Sequence, residues 1–513
     1  IKNRKGEMNL STIGPKTPTT SSPKQPQAPS QPTGNPLQVL ALLAVDRISI
    51  TGGTITYRDD STPKPTEYRV NDLEVLLKSV HLGETPTLYL AATVQPYNIP
   101  VKLDGSFGPL VETLNLKQFA FDLGLGKIAM VLKGSLVGGN LDATLTSPLI
   151  NSADVPVTLP LLKPVIVKSF HVTAKAKSPL PQGVPPLELA DVTDLGLDVL
   201  LGNSVLNING TVTGGRAKIT ITSPAINTAD VPVALPLKKP VDVKDLQIAV
   251  ELKGQEARVN NLSFQLFDGH TKTQAGMILD PAAPPFNGKV VVQGLQLGPA
   301  LDALGSDQVS ISGTAGMDFA MSGRGFSLPD LTKTLEGVGH VAVKDGKIEG
   351  VNLIQEALSR LQVVGLSADN VRATAFSTIE TDLAIKQGII NVQRLLMDSH
   401  DFQATGEGTV GFDHTLNLKV KLNLSQALSQ KITGSSPAAR LALAGGRLNV
   451  PLLITGTVQA PSYGLDSKAL TGKVQEQVKE KVKEAVGDLL KGPTKPDDLK
   501  QKGRDLLKGL LGR

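Results

Sequence analysis

The chain of 513 residues contains no cysteine and no tryptophan, and phenylalanine and tyrosine together make only 3% of it. Without cysteine there can be no disulfide, no thiolate nucleophile and no Cys-ligated zinc or iron–sulfur centre. The scarcity of aromatic residues argues against an outer-membrane barrel, because such barrels carry aromatic girdles. Packing in this protein must therefore rely on aliphatic side chains.

Long apolar runs are also missing. A membrane-spanning helix needs about 18 or more consecutive apolar residues, and the longest run, Leu37–Val45, is about half that length. The sequence starts at Ile1 without an initiator methionine or a signal peptide. We therefore expect a fragment, in which any anchor upstream of Ile1 is not included.

Positive charge is concentrated at the two ends. Residues 1–36 carry a net charge of +4 and residues 466–513 another +4, so a total of +5 leaves −3 for the body between them. A nucleic-acid-binding protein needs a basic face with stacking aromatic rings on the body itself. This distribution argues against a nucleic-acid partner.

Composition divides the chain into four segments. Residues 1–14 suggest the end of a truncated upstream β domain, and residues 15–36 are rich in Pro, Ser and Thr, which is typical of an extended linker. Residues 37–466 alternate apolar and polar side chains with a period of two, which predicts strands. Residues 467–513 change to a period of about 3.6 and predict basic amphipathic helices.

The clearest alternation lies in Thr415–Leu424, where every second residue is aliphatic. Successive side chains of a strand point to opposite faces, so such a strand has one apolar and one polar face. The same pattern recurs earlier in the chain. The residues that we predict to line the apolar face are Leu416, Leu418, Val420, Leu422, Leu424, Ile219, Ile221, Leu141, Leu145, Ile99, Val101 and Leu103.

Glycine-containing pairs between the strand patterns predict hairpin turns and hence antiparallel neighbours. Six such turns are expected, at Gly52-Gly53, Asp104-Gly105, Gly138-Gly139, Gly214-Gly215, Asp345-Gly346 and Gly445-Gly446.

An internal repeat supports a stack of similar units. Thr146–Lys168 matches Thr222–Lys244 at 18 of 23 positions with an offset of 76 residues. That spacing predicts a unit of several strands stacked on its neighbour. Each copy carries three prolines four residues apart, and proline donates no N–H to a sheet, so these parts should be edge strands or crossovers.

Few helices are expected within the body. Leu328–Leu335, with Ser327 as N-cap, and Val351–Leu361 have helical patterns. After Asp466, Val474–Leu490 predicts an amphipathic helix that either packs over the end of the sheet or faces a membrane or partner. In the last stretch, the residues expected at such a contact are Leu506, Leu507, Leu510 and Leu511.

Catalytic patterns are weak throughout. The sequence has no G-x-S-x-G motif, and its six histidines never occur in an H-x-x-x-H or H-E-x-x-H spacing. We expect the histidines on the polar faces of strands, no metal site, no cofactor and no enzymatic activity.

The apolar face itself is the feature that needs an explanation. A large exposed apolar surface indicates a partner, and the cover can be a second sheet, closure on itself or a bound apolar ligand. The predicted fold is mainly β: a long curved antiparallel sheet that forms an elongated groove of repeated strand units, with a few short helices. A self-filled sandwich or solenoid core is the alternative interpretation.

Three segments resemble the AsmA family of bacterial envelope proteins, which includes TamB-like and YhdP-like members. They are Val343–Leu353, Phe376–Gly411 and Leu452–Pro461 followed by Gly464-Leu465-Asp466. The residues that match the family's turn and strand motifs are Asp345, Gly346, Ile348, Gly350, Asn352 and Leu353, then Gly388 and Ile390, then Gly406, Gly408 and Val410, and finally Ile454, Gly456, Thr457 and Pro461.

The resemblance implies a periplasmic protein anchored in the inner membrane, with a β-groove linked to phospholipid traffic toward the outer membrane. The implied partners are glycerophospholipids, the inner membrane through the missing anchor, and outer-membrane or envelope proteins through the C-terminal helices. The alternative function is a structural or outer-membrane assembly factor with a self-filled core and no lipid cargo.

Overall fold

The segment 37–466, in which apolar and polar residues alternate, forms strands over most of its described length. The computed structural model describes residues 45–59, 66–95, 97–111, 115–155, 159–177, 188, 190–235, 237–280, 282–305, 311–360, 373–434 and 443–466. The predicted segments 1–14, 15–36 and 467–513 lie outside this part. The described chain forms two compact units: residues up to 293 with 303–305, and residues 294–302 with those from 306 onward.

The first unit contains fifteen strands, the last of which runs three residues past its limit. In chain order they are β1 (Val45–Asp59), β2 (Thr66–Val80), β3 (Thr87–Gln95), β4 (Ile99–Gly108), β5 (Leu116–Leu125), β6 (Ile128–Val137), β7 (Asn140–Asn151), β8 (Ile166–Lys177), β9 (Asp191–Leu201), β10 (Ser204–Thr213), β11 (Arg216–Asn227), β12 (Asp242–Lys253), β13 (Glu256–Leu266), β14 (Gly269–Ile278) and β15 (Pro285–Gln296). Each strand pairs with the next one in antiparallel fashion.

The second unit contains nine strands. They are β16 (Ile311–Arg324), β17 (Glu336–Glu349), β18 (Ala373–Lys386), β19 (Ile389–Asp398), β20 (Phe402–Gly411), β21 (Thr415–Leu424), β22 (Leu443–Ala444), β23 (Arg447–Thr457) and β24 (Pro461–Leu465). Strands that follow one another along the chain pair antiparallel, except that β21 pairs with β23. The two-residue strand β22 also pairs with β23. The predicted mainly β fold, a long open antiparallel sheet with few helices, is confirmed.

The sequence repeat corresponds to four strands. With the 76-residue offset, β5–β8 correspond to β9–β12, and the proline-rich segments become crossovers between β7 and β8 and between β11 and β12. The two crossovers are braced by the same bonds. Ser152 Oγ accepts the N–H of Val165, and Thr228 Oγ1 accepts the N–H of Val241, each at 2.8 Å. The predicted stack of repeated units with proline-rich crossovers is therefore confirmed.

Three of the six predicted glycine turns are confirmed, at Gly138-Gly139, Gly214-Gly215 and Gly445-Gly446. The other three predictions are wrong. Gly52-Gly53 lies within β1 at a register shift, with Gly52 at a φ of 65°, which is typical of a β-bulge. Gly105 lies within β4 and Gly346 within β17, where a Cβ would overlap the rings of Phe121 and Phe376 respectively. These two glycines make room for a ring on the next strand.

Four α-helices occur in the described chain: α1 (Leu297–Leu304), α2 (Leu328–Thr334), α3 (Leu353–Arg360) and α4 (Gln426–Thr433). The predictions of α2 and α3 are confirmed, and the Ser327 side chain accepts the N–H of Asp330 at 3.2 Å as the N-cap of α2. The helices α1 and α4 were not predicted. Within the described residues, none of the helices combines the length and apolarity that crossing a bilayer requires.

Candidate functional site

Aliphatic side chains form rows that run across the strands of the first unit. One clear row consists of Leu197, Ile208, Ile221, Ile248 and Leu262, which lie opposite one another on β9 to β13. All five side chains are half-buried. Each keeps part of its surface accessible, so within the described part of the chain this row is not fully covered.

The predicted lining residues of the first unit lie in parallel rows on this same face. Leu103 pairs with Leu90 and Leu123, and Leu145 pairs with Leu132 and Val172. We call this side of the first unit, with the rows through Leu103, Leu145 and Ile221, the aliphatic face. The predicted residues that are half-buried on it are Ile99, Val101, Leu103, Leu141, Leu145, Ile219 and Ile221.

A small part of the first unit is fully covered. Val80, Phe107, Leu110 and Phe119 form a buried cluster at one end of β2, β4 and β5. The connection after β2 closes over them, because Leu110 donates its N–H to Glu84 O at 2.9 Å. Leu132 of β6 and the predicted lining residue Leu141 of β7 pack against this cluster, whereas the row through Ile221 lies outside it.

In the second unit the five predicted residues of β21 divide into two groups. Leu416 and Leu418 are half-buried, like the residues of the aliphatic face, whereas Val420, Leu422 and Leu424 are 6%, 0% and 0% exposed. The last three belong to a protein core that also contains Val450 and Leu452 from β23 and Ala357 and Leu358 from α3. They are covered by the chain itself.

Two helices pack on this core: α3, which contributes Ala357 and Leu358, and α4, which follows β21 directly. Ser425 caps its N-terminus by accepting the N–H of Leu428 at 3.3 Å, and the helix places Leu428 and Ile432 against the core. Ser429 is completely buried, and its Oγ accepts the N–H of Leu448 at 2.9 Å. This bond satisfies a backbone donor that would otherwise be buried without a partner.

The opposite face of both units is polar. In the first unit Lys175 Nζ lies 3.5 Å from Asp142 Oδ2, and the hydroxyls of Thr144 and Thr173 are 3.0 Å apart. These are cross-strand pairs in the register of β7 and β8. Such pairs stabilise a sheet modestly and keep its outer side wetted.

A His–Asp–Arg group lies on the polar face of the second unit. His340 Nδ1 is 2.8 Å from one oxygen of Asp382, and Arg394 Nε is 2.9 Å from the other. The hydrogen bond from His340 contributes most to lowering the pKa of Asp382, and Arg394 adds to it. The group is a solvated cross-strand ladder, and no nucleophilic side chain among the described contacts joins it.

The described residues bring together no group of three or more His, Asp or Glu side chains that could hold a metal ion. A cleft of about 440 Å³ in the second unit is lined by Ile354, Phe376, Phe402, His400 and Asp401 with their neighbours. His400 and Asp401 are exposed in the turn between β19 and β20, so they form its rim.

Comparison with known proteins gives no match: none of the family models, curated proteins or solved structures matches the chain. The resemblance to the AsmA family therefore stays a prediction. The expected membrane or partner contacts Leu506, Leu507, Leu510 and Leu511 lie outside the described residues.

Sequence reasoning named only part of the aliphatic face. Leu197, Ile208, Ile248 and Leu262 belong to the row through Ile221 but were not predicted, although their strands show the same alternation. The helix α4, which packs on the core around Leu422, was missed because it spans only eight residues and its local signals are the Ser425 N-cap and the Gly434 C-cap.

Proposed function

We propose that this chain is a non-enzymatic carrier of lipid acyl chains, which lie on the aliphatic face of the first unit. The observation that carries the proposal is the row Leu197, Ile208, Ile221, Ile248 and Leu262, which crosses five strands and whose side chains are all only half-buried. An apolar surface of this extent favours a bound apolar partner over bulk water.

The chemistry of the face favours a flexible chain. The row contains only Leu and Ile, with no ring to stack on a planar ligand and no charged group to fix a headgroup. Each methylene that leaves water for such a surface contributes about 0.8 kcal/mol. Neighbouring rows offer similar contacts, so an acyl chain can slide between them without a large barrier. Movement of the acyl chain along the face is passive, so another component must supply the direction of transfer.

The wider setting of the proposal follows the family resemblance. On that basis the cargo is a glycerophospholipid, and the transfer runs between the inner and outer membranes of a bacterial envelope through the periplasm. The segment 467–513 would contact a membrane or an envelope protein. The second candidate function, a structural or assembly factor without lipid, is favoured by the self-packed core around Leu422, Val450 and Leu452.

Photo-crosslinking with a phospholipid that carries a diazirine in its acyl chain tests the proposal. Ile221→Asp places a charge on the aliphatic face and is expected to reduce labelling of the first unit at least tenfold, because a buried charge beside an acyl chain is strongly unfavourable. The matched control is Thr220→Asp, the next residue on the same strand, which is exposed on the polar face. This control should keep wild-type labelling.

Native mass spectrometry of the detergent-free protein gives an independent answer. Bound phospholipid in the wild type, lost in Ile221→Asp and kept in Thr220→Asp, supports the carrier. A folded protein without lipid, or equal labelling of both variants, would contradict the carrier and leave the structural factor as the better description. Circular dichroism must show the same β content in all three proteins.

A further inference from the structure

The strand β1 forms an edge of the sheet in the first unit. It spans the fifteen residues Val45–Asp59, and among the described strands it pairs with β2 alone. The side of β1 that faces away from β2 is therefore a sheet edge within the described chain. Backbone N–H and C=O groups along such an edge are a template for a further strand.

The aliphatic face extends to this edge. The row through Leu103 continues with Leu90 on β3, Val75 on β2 and Ile50 on β1. Ile50 is 47% exposed and Ile55, further along β1, is 54% exposed, whereas the row members behind them are half-buried. The two isoleucines are more exposed because β1 has a strand neighbour on only one side in the part of the chain that the structure describes.

The irregularity of β1 around Gly53 restricts which strand can be added. Through β2, Ile50 is in line with Leu90 of β3 and Ile55 with Val94, and β3 itself pairs with β4 without a register shift. Leu90 and Val94 are four residues apart on a regular strand, so they share one face. Ile50 and Ile55 therefore share this face although they are five residues apart. A regular incoming strand would match only one half of β1.

The sequence of β1 is nearly the same in both directions from its centre. Counted outward from Gly52-Gly53, five of the seven positions are identical on the two sides. The two halves are Gly-Thr-Ile-Ser-Ile-Arg-Asp over 52–46 and Gly-Thr-Ile-Thr-Tyr-Arg-Asp over 53–59. A strand that pairs with its own copy about a twofold axis needs this symmetry, because each residue meets the residue at the mirrored position. Two copies of β1 would also change face at the same place.

We propose that β1 pairs in antiparallel fashion with β1 of a second copy of this chain, about a twofold axis between Gly52 and Gly53. Ile50 then lies opposite Ile55 of the second copy, so the sheet continues and the two aliphatic faces join. Such apolar cross-strand pairs stabilise a sheet. A single strand pair is a small interface, so the dimer is expected to be weak and concentration-dependent. This inference goes beyond the carrier function and does not rest on it.

The two ends of this pairing carry like charges, which weaken it. Arg47 lies opposite Arg58 of the second copy, and Asp46 lies opposite Asp59. Like charges directly opposite each other destabilise a strand pair, but Arg47 and Arg58 are exposed, so water and salt screen their repulsion. Added salt should therefore tighten the dimer, and the two arginines report the register of the pairing.

Sedimentation equilibrium of the full chain, without detergent or lipid, tests the inference. The edge variant combines Ile50→Ser with Ile55→Ser, which removes the apolar pairs on both sides of the axis, and it should weaken dimerisation roughly tenfold. The matched control combines Val137→Ser on β6 with Ile278→Ser on β14, whose side chains are 49% and 47% exposed. This control should dimerise within about twofold of the wild type.

Charge reversal tests the register. Arg47→Glu creates two opposite-charge pairs with Arg58 of the other copy, so the dimer should become roughly fivefold to tenfold tighter. The further change Arg58→Glu restores like charges at both places, and the affinity should return to within about threefold of the wild type. An effect of net charge alone would change the affinity in the same direction at each step, and that result would overturn the proposed pairing.

Three other results would also overturn the inference. One is a wild type that stays monomeric up to about 1 mM, and another is a dimer that the edge variant and the control weaken equally. The third is protection from hydrogen exchange, in the dilute monomer, of the β1 amides that do not bond to β2, because another part of the chain would then occupy this edge. None of these measurements uses lipid, so their outcome is separate from that of the carrier function.

Discussion

The two units have the same strand pattern but differ in what lies over their apolar sides. In the first unit the row through Ile221 is half-buried from β9 to β13, whereas in the second unit the apolar side of β21 around Leu422 is buried in a core on which α3 and α4 pack. The alternation of the strands is equally regular in both. A strand pattern therefore determines which side is apolar, and the short helices determine whether that side is available to a ligand.

Truncation of one residue from each region gives the largest expected contrast. Leu422→Ala removes a side chain with no exposure and leaves a cavity, so we expect the free energy of unfolding of the second unit to fall by about 2–5 kcal/mol. Ile221→Ala removes a half-exposed side chain with no cavity to form, so the first unit should lose only about 1 kcal/mol. Urea unfolding followed by hydrogen exchange in each unit measures both values.

Equal losses at the two positions would show that the aliphatic face is as well packed as the core of the second unit. That outcome would also weaken the proposed carrier, because a sealed face has no room for an acyl chain. Leu418→Ala is a useful intermediate, since Leu418 lies on β21 but is half-buried. The loss in the free energy of unfolding caused by Leu418→Ala should be closer to the loss caused by Ile221→Ala than to that caused by Leu422→Ala.

The sequence was sufficient for the strands and for the apolar side of each. Side-chain period is local, so the alternation of residue types alone places Leu103, Leu145 and Ile221 on an apolar face. Burial under another element is not local: whether Leu422 is sealed depends on where the short helices α3 and α4 pack. The glycines at 105 and 346 were misjudged for the same reason, since the ring that requires each glycine belongs to the next strand.

Glycines beneath aromatic rings offer a second, smaller contrast. In β17 a Cβ on Gly339 would overlap Asp318 O and the ring of Phe319, a side chain that is only 7% exposed. Gly339→Ala should therefore destabilise the second unit by about 1–3 kcal/mol through overpacking. A control variant is expected to change the stability in the opposite direction. Gly298 lies in α1 with open space around its Cα, so Gly298→Ala should stabilise by about 0.4–1 kcal/mol. Loss of stability in both variants would contradict this account.

The polar face should respond to pH through Asp382, with the smallest effect of the series because the group is solvated. Its pKa lies below the ordinary value of 3.8, chiefly because of the hydrogen bond from His340. A carboxylate whose pKa is lower in the folded state contributes stability above its unfolded pKa and loses it as the pH falls through the folded one. Stability should thus decrease on acidification below about pH 4, and less so in Asp382→Asn.

Variants of its two partners make this last prediction sharper. His340→Gln removes the largest cause, so the pKa of Asp382, followed by carboxyl-carbon NMR, should rise toward the ordinary value. Arg394→Gln should raise it less, because the charge and the hydrogen bond of Arg394 each lower this pKa less than the hydrogen bond from His340 does. The reverse order would mean that charge, not the short contact with His340, holds this carboxylate ionised. In that case the ladder on the polar face would weaken strongly with added salt, unlike the aliphatic rows behind it, whose apolar contacts do not depend on charge screening.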